Sequence, residues 1–191
     1  MYIYPKNLNT INMAIDLNTL VPEFGGIVDQ LLQNCKEAGY PMQPNFAIRT
    51  PVEQAAFWRQ SRSGDEVAQQ IQKLRDQGAG FLADCIVAAG PSSGPHITNA
   101  LPGLSWHQWG EALDCVWIVN GKQNWSTDLL VNGKNGYAVY AALAKELGLN
   151  AGGFWRSFKD WPHVQLRSAA NPLSVMSLQQ VNDTMKERFG S

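Results

Sequence analysis

Between positions 22 and 38 apolar residues recur at helical spacing. Phe24, Ile27, Val28, Leu31, Leu32 and Cys35 share one face, and the pattern predicts a first helix. Pro22 suits its first turn and Gly39 its stop. A short apolar run over 45–49 predicts a strand that ends at Arg49. Thr50-Pro51-Val52-Glu53 then has the form of a capping box with proline at the first helical position, which sets the arginine at a strand-to-helix junction. A second capping box, Ser63-Gly64-Asp65-Glu66, opens a segment with Val67, Ile71 and Leu74 on one face. After Gly78 a further apolar stretch, Phe81, Leu82, Cys85 and Ile86, runs to Gly90-Pro91, so 63–90 is read as two short helices.

Residues 97–100 read as a short strand. The run 112–119 is apolar on both faces apart from Asp114, as a central strand would be. Asn120-Gly121 marks a turn, and 125–133 a loop. Tyr140, Leu143, Ala144 and Leu147 place a helix over 137–147, stopped by Gly148. Phe154-Trp155 and residues 163–166 are strand candidates joined by the loop that carries Asp160. A last helix over 177–189 turns Leu178, Val181, Met185 and Phe189 inward. Residues 1–20 are polar and aperiodic and read as an arm ahead of a single domain over 21–191. Short strands interleaved with helices give an α+β class, a small antiparallel sheet flanked by helices.

Composition narrows the function. In 191 residues, 45% hydrophobic and 16% charged, there is room for one domain with a proper core. A net charge of -1 gives no electrostatic basis for nucleic-acid binding. Cys35, Cys85 and Cys115 are odd in number and widely spaced, so they form no disulfide framework and read as small buried hydrophobes. There is no basic segment followed by an apolar one at the start, and no apolar run nears the ~20 residues of a membrane span. The expectation is a monomer made in the cytoplasm and brought by another system to any substrate beyond the inner membrane.

The chemistry is concentrated in Ser105-Trp106-His107-Gln108-Trp109-Gly110-Glu111-Ala112-Leu113-Asp114 and in Lys159-Asp160-Trp161-Pro162-His163. An acid inside an apolar strand is costly unless it is paired or bound to metal, which singles out Asp114. His107, Asp114 and His163 form a ligand set suited to zinc, and three protein ligands leave a coordination position for water. Asp160 lies where a short turn can aim a second carboxylate at that water. Glu111 reads as solvent-facing. Ser105 is placed to bond substrate, and Trp106 and Trp161 are candidates to wall a cleft. A serine hydrolase is disfavoured because no Gly-x-Ser-x-Gly elbow is present.

The order Ser-x-His, Gly-x-Ala-x-Asp and Asp-Trp-Pro-His resembles the LAS metallopeptidases of the M15 type, phage L-alanyl-D-glutamate endolysins and D-alanyl-D-alanine carboxypeptidases. The likeness runs from about Phe46 to Gln165, interrupted by the helices of 63–90, which stand as an insert. The resemblance implies a hedgehog/DD-peptidase-like fold and zinc (Zn2+) on His107, Asp114 and His163. It also implies Asp160 as the general base acting on zinc-activated water, and Arg49 as the cation facing the reacting carbonyl. Ile97-Thr98-Asn99-Ala100-Leu101-Pro102-Gly103 points to the endolysin-like branch. The expected partner is the peptidoglycan stem peptide, with the bond between L-Ala and D-Glu as the expected cut. A D,D-carboxypeptidase and a non-catalytic zinc-bearing wall-binding module are the alternatives.

Overall fold

The computed structural model describes residues 15–190; the residues ahead of 15, most of the expected arm, lie outside it. The described chain divides into two compact units, one formed by residues 15–48 with Trp109–Ser168, the other by Arg49–Gln108 with residues 169–190. Six α-helices and five strands are present among the described residues, and every strand pairing is antiparallel. The class is α+β.

The first unit holds the whole sheet and two helices, α1 (Pro22–Glu37) and α5 (Gly136–Glu146). Its strands are β1 (Met42–Phe46), β2 (Ala112–Val119), β3 (Lys122–Asn124), β4 (Asn150–Ala151) and β5 (His163–Gln165). They run in the order β1-β2-β5-β4, with β3 hairpinned onto the far end of β2 through the Asn120-Gly121 turn. β2 is the central strand and is buried from Ala112 to Trp117. A strand's side chains alternate between faces. Leu113, Cys115 and Trp117 therefore share one face and pack with Phe24, Val28, Leu31 and Cys35 of α1 and with Tyr137, Tyr140, Ala141 and Ala144 of α5. Each large side chain buried this way contributes about 1.5–3 kcal/mol. Ala112, Asp114 and Val116 are left on the opposite face.

Three expectations shift. The strand expected over 45–49 lies at Met42–Phe46, and Arg49 follows it after Ala47-Ile48 in irregular backbone. Pro44 can sit inside β1 because β1 is an edge strand, where a missing N–H breaks no second ladder. Phe154 closes a short 3-10 turn, Gly152–Phe154, and it is Asn150–Ala151 that pairs with β5. Residues 97–100 make no strand: Thr98 Oγ1 accepts from the Ala100 amide at 3.0 Å and the Ala100 carbonyl is taken by the Gln54 side chain, so the backbone groups are satisfied outside any ladder.

The second unit is helical, comprising α2 (Pro51–Arg59), α3 (Gly64–Asp76), α4 (Gly80–Ala88) and α6 (Leu178–Phe189). Capping boxes at Thr50, Ser63 and Ser177 start three of the four, each worth about 1 kcal/mol. α4 has no side-chain cap of its own, and Asn182 of α6 instead accepts from the Leu82 amide at 3.3 Å. The two helices expected over 63–90 are α3 and α4, and Val67, Leu74, Leu82 and Ile86 point into this unit's core with Val181 and Met185.

Candidate metal centre

Strand register brings the first two candidate residues together. Asp114 and His163 are direct cross-strand partners in the β2–β5 pairing, with Leu113 opposite Val164 on the core face. Asp114 is 4% exposed and His163 7%, and His163 Nδ1 lies 3.0 Å from Asp114 Oδ1. A buried carboxylate needs such a partner, since isolation from water would otherwise cost several kcal/mol. Cys115, next in the chain, faces the core beside Tyr140, away from this pair, and burial raises its thiol pKa.

His107 comes from a 3-10 turn, Trp106–Trp109, and is 4% exposed. Gly110 ends that turn at φ +71°, and a Cβ there would lie 2.8 Å from the Thr19 carbonyl oxygen, so the glycine is required both by its conformation and by its neighbour. His107, Asp114 and His163 each offer one ligand atom, and these atoms lie within 4.8 Å of one another. The group is placed to bind a metal ion. Two imidazole nitrogens and one carboxylate oxygen, all buried, suit zinc better than the all-oxygen preference of calcium or magnesium.

The electrostatics agree. Burial by itself would lower the His163 pKa, but the hydrogen bond and charge of Asp114, joined by the charge of Asp160 and the Gln165 carbonyl, outweigh it and hold the imidazole above its ordinary value. A site that favours a proton between a nitrogen and a carboxylate oxygen is one that favours positive charge there. Asp160 sits two residues before Pro162 on the loop into β5. Its amide donates to the Gly152 carbonyl at 3.1 Å and its carbonyl accepts from the His163 amide at 3.2 Å, which fixes the loop at both ends. Gly152 is essential to this path, because a Cβ on it would fall 2.3 Å from the Asp160 carbonyl oxygen.

Arg49 directly precedes the N-cap of α2. Its Nη1 donates to Gln54 Oε1 at 2.9 Å, and its Cζ stands 4.7 Å from the centre of the Phe57 ring. Gln54 is fully buried and passes its own Nε2–H to the Ala100 carbonyl at 2.7 Å, so the guanidinium is steadied by a side chain that is itself anchored. Of the other candidates, Ser105 is half-buried and its amide donates to Gln108 Oε1 at 3.3 Å. Trp106 is 3% exposed and gives its indole N–H to the Ala169 carbonyl at 2.8 Å. Trp161 is half-buried over Gly153, with the Lys159 ammonium 5.9 Å from its ring centre.

Glu111 departs from expectation. It is 7% exposed, and its carboxylate takes two hydrogen bonds from Arg167, at 2.7 Å from Nε and 2.8 Å from Nη2. The ion pair closes across 56 residues, and no local pattern announces it. Gln54 and Gln165 were also not singled out by sequence. For Gln165 a signal existed, since a residue two positions after His163 on a strand must share its face.

Comparison with known proteins meets the same residues. An M15 peptidase family, described as D-alanyl-D-alanine carboxypeptidase, matches residues 98–166, which include His107, Asp114, Asp160 and His163. The peptidoglycan L-alanyl-D-glutamate endopeptidase CwlK of Bacillus subtilis is 36% identical over 73 residues, 37% of this chain and 44% of that protein, so the match spans less than half the relative's length. The solved structure of the Serratia marcescens L-Ala D-Glu endopeptidase ChiX aligns at 21% identity over 84% of this chain and 96% of its own, with a TM-score of 0.45. In the segment that builds the His-Asp-His group, the chain resembles the M15 peptidases.

Proposed function

We propose that this chain is a zinc peptidase that hydrolyses an amide bond of the peptidoglycan stem peptide, between L-Ala and D-Glu. The observation that carries the reading is the buried His107–Asp114–His163 group, lying within the segment similar to M15 peptidases. When bound, zinc supplies a water whose pKa falls from ~15.7 toward ~7 and a Lewis acid for the scissile carbonyl. His107, Asp114 and His163 would hold the ion. Asp160 would accept the water's proton at its carboxylate as the water oxygen bonds to the carbonyl carbon, and return it to the D-Glu nitrogen as the C–N bond breaks, a general-base contribution of about 10²–10⁴-fold. Arg49 turns its guanidinium to the charge that grows on the carbonyl oxygen, and its bond to Gln54 and its seat on Phe57 reduce the reorganisation this needs. Ser105 and Trp161 contact the stem peptide, while the buried Trp106 steadies the turn that presents His107.

The likeness to an L-alanyl-D-glutamate endopeptidase favours an internal cut. The carboxypeptidase description of the matching family supports a second reading, removal of terminal D-Ala by the same residues. Digestion of purified muropeptides followed by mass spectrometry separates them. The expected product is a fragment that begins with D-Glu at a free amine. Loss of a single D-Ala overturns the endopeptidase reading, and no cleavage by zinc-replete protein overturns both.

A further inference from the structure

We propose that Gln165 is a positioning residue for the metal centre: its amide carbonyl takes the Nε2–H of His163 and so keeps the Nδ1 lone pair turned toward the metal beside Asp114. The inference rests on the reading of His163 as a ligand and adds a residue to it. Gln165 is 2% exposed and lies on the same face of β5 as His163.

The argument follows donors and acceptors along a short relay. Gln165 Nε2 lies 2.6 Å from the Arg167 carbonyl oxygen. A carbonyl oxygen can only accept, so the amide NH2 must face Arg167. Gln165 Oε1 is then the atom that meets His163 Nε2, at 3.1 Å. An amide oxygen also only accepts, so Nε2 of His163 carries the hydrogen. The neutral imidazole that a metal ion would bind has one N–H, so with Nε2–H given to Gln165 its lone pair is on Nδ1, the nitrogen 3.0 Å from Asp114 Oδ1. Nδ1 and the Asp114 carboxylate oxygen at that distance need positive charge between them, which a proton supplies in the metal-free protein and a metal ion held by both would supply in its place.

The relay is itself held. Arg167 is fixed by its two bonds to Glu111, and the Leu166 amide donates to the Glu111 carbonyl at 2.9 Å, so the backbone that aims the Arg167 carbonyl is tied to the start of β2. The unexpected burial of Glu111 thus acquires a use. It anchors the segment that sets the tautomer of His163. Partners of this kind around a metal-binding histidine are worth about 10–100-fold in metal affinity.

The test combines zinc affinity, measured by competition with a chelator on the full chain, with long-range 15N–1H spectra of the histidine rings in the zinc-loaded wild type. The expected spectrum shows His163 protonated at Nε2 and coordinated through Nδ1. Gln165→Leu, which keeps the volume and removes the acceptor, is expected to weaken zinc binding about 10–100-fold. Gln165→Glu, which still offers an acceptor to Nε2–H, is expected to recover at least part of that loss. Zinc coordination of His163 through Nε2 overturns the proposal, as does wild-type affinity in Gln165→Leu. If Gln165→Leu fails to fold, the wild-type spectrum decides alone. Wild-type zinc affinity in His163→Ala overturns the ligand assignment underneath, and is distinguishable because it removes His163 rather than Gln165 from the centre.

Discussion

Asp160 and Asp114 both act on His163 by charge, and their settings fit the different roles proposed for them. Asp114 is buried and bonded to the imidazole, whereas Asp160 is half-buried on a loop and acts on His163 through its charge. Asp160→Asn keeps the side chain's size and removes its basicity. Zinc content measured by elemental analysis should stay near that of the wild type while turnover falls about 10²–10⁴-fold. A metal-free Asp160→Asn protein would make Asp160 a ligand instead. The raised His163 pKa gives a second residue-scale prediction. In the metal-free protein the folded pKa lies above the unfolded value near 6.5, so protonation favours folding. That stabilisation is fully present below pH ~6.5 and is lost as pH rises through the folded value. Zinc needs the neutral ring, so its affinity should rise over the same window. Melting curves across pH, with chelator and with zinc, should therefore move in opposite directions.

At the scale of elements, the loop from Gly152 to β5 depends on a close backbone approach. The Asp160 amide bonds to the Gly152 carbonyl, and the Asp160 carbonyl oxygen occupies the space that a Gly152 side chain would need. Gly152→Ala should displace Asp160 while leaving the Asp114–His163 strand pairing in place. The expected outcome is lower turnover at nearly unchanged zinc affinity, read by comparing kcat with chelator competition. Equal loss of both would mean that β5 moves with the loop. Capping explains why most helix boundaries fall where the sequence puts them: Thr50, Ser63 and Ser177 each satisfy amides that would otherwise lack partners.

At the scale of the whole molecule, the three candidate ligands lie far apart in sequence, His163 following Asp114 by 49 residues. A ligand that binds only when such segments are in their folded places stabilises the fold by mass action. Zinc at ~100 times its Kd should add about 2.7 kcal/mol, or roughly 5–10 °C in the melting midpoint. The shift should vanish in His107→Ala and His163→Ala. An equal shift in those variants would place the zinc elsewhere. No helix among the described residues is long and apolar enough to cross a membrane.

The sequence alone determined whatever depends on neighbours within a few positions. The helix from Pro22, the capping boxes at Thr50 and Ser63, the Asn120-Gly121 turn and the span Ala112–Val119 follow from periodicity and local hydrogen bonding, and the structure has each in place. The candidate ligand group was legible for a different reason. Asp114 is an acid in an apolar strand, and the order of the two histidine segments resembles a known peptidase pattern. Tertiary structure decided the rest. Whether 97–100 or 154–155 could be strands depended on a partner strand, which an apolar run cannot supply for itself. Glu111 and Gln165 look like ordinary polar residues until the β2–β5 register closes the 56 residues between Glu111 and Arg167 and turns Gln165 onto the face of His163. A carboxylate becomes buried and an amide becomes oriented only through partners that folding brings within about 3 Å, the range of a hydrogen bond.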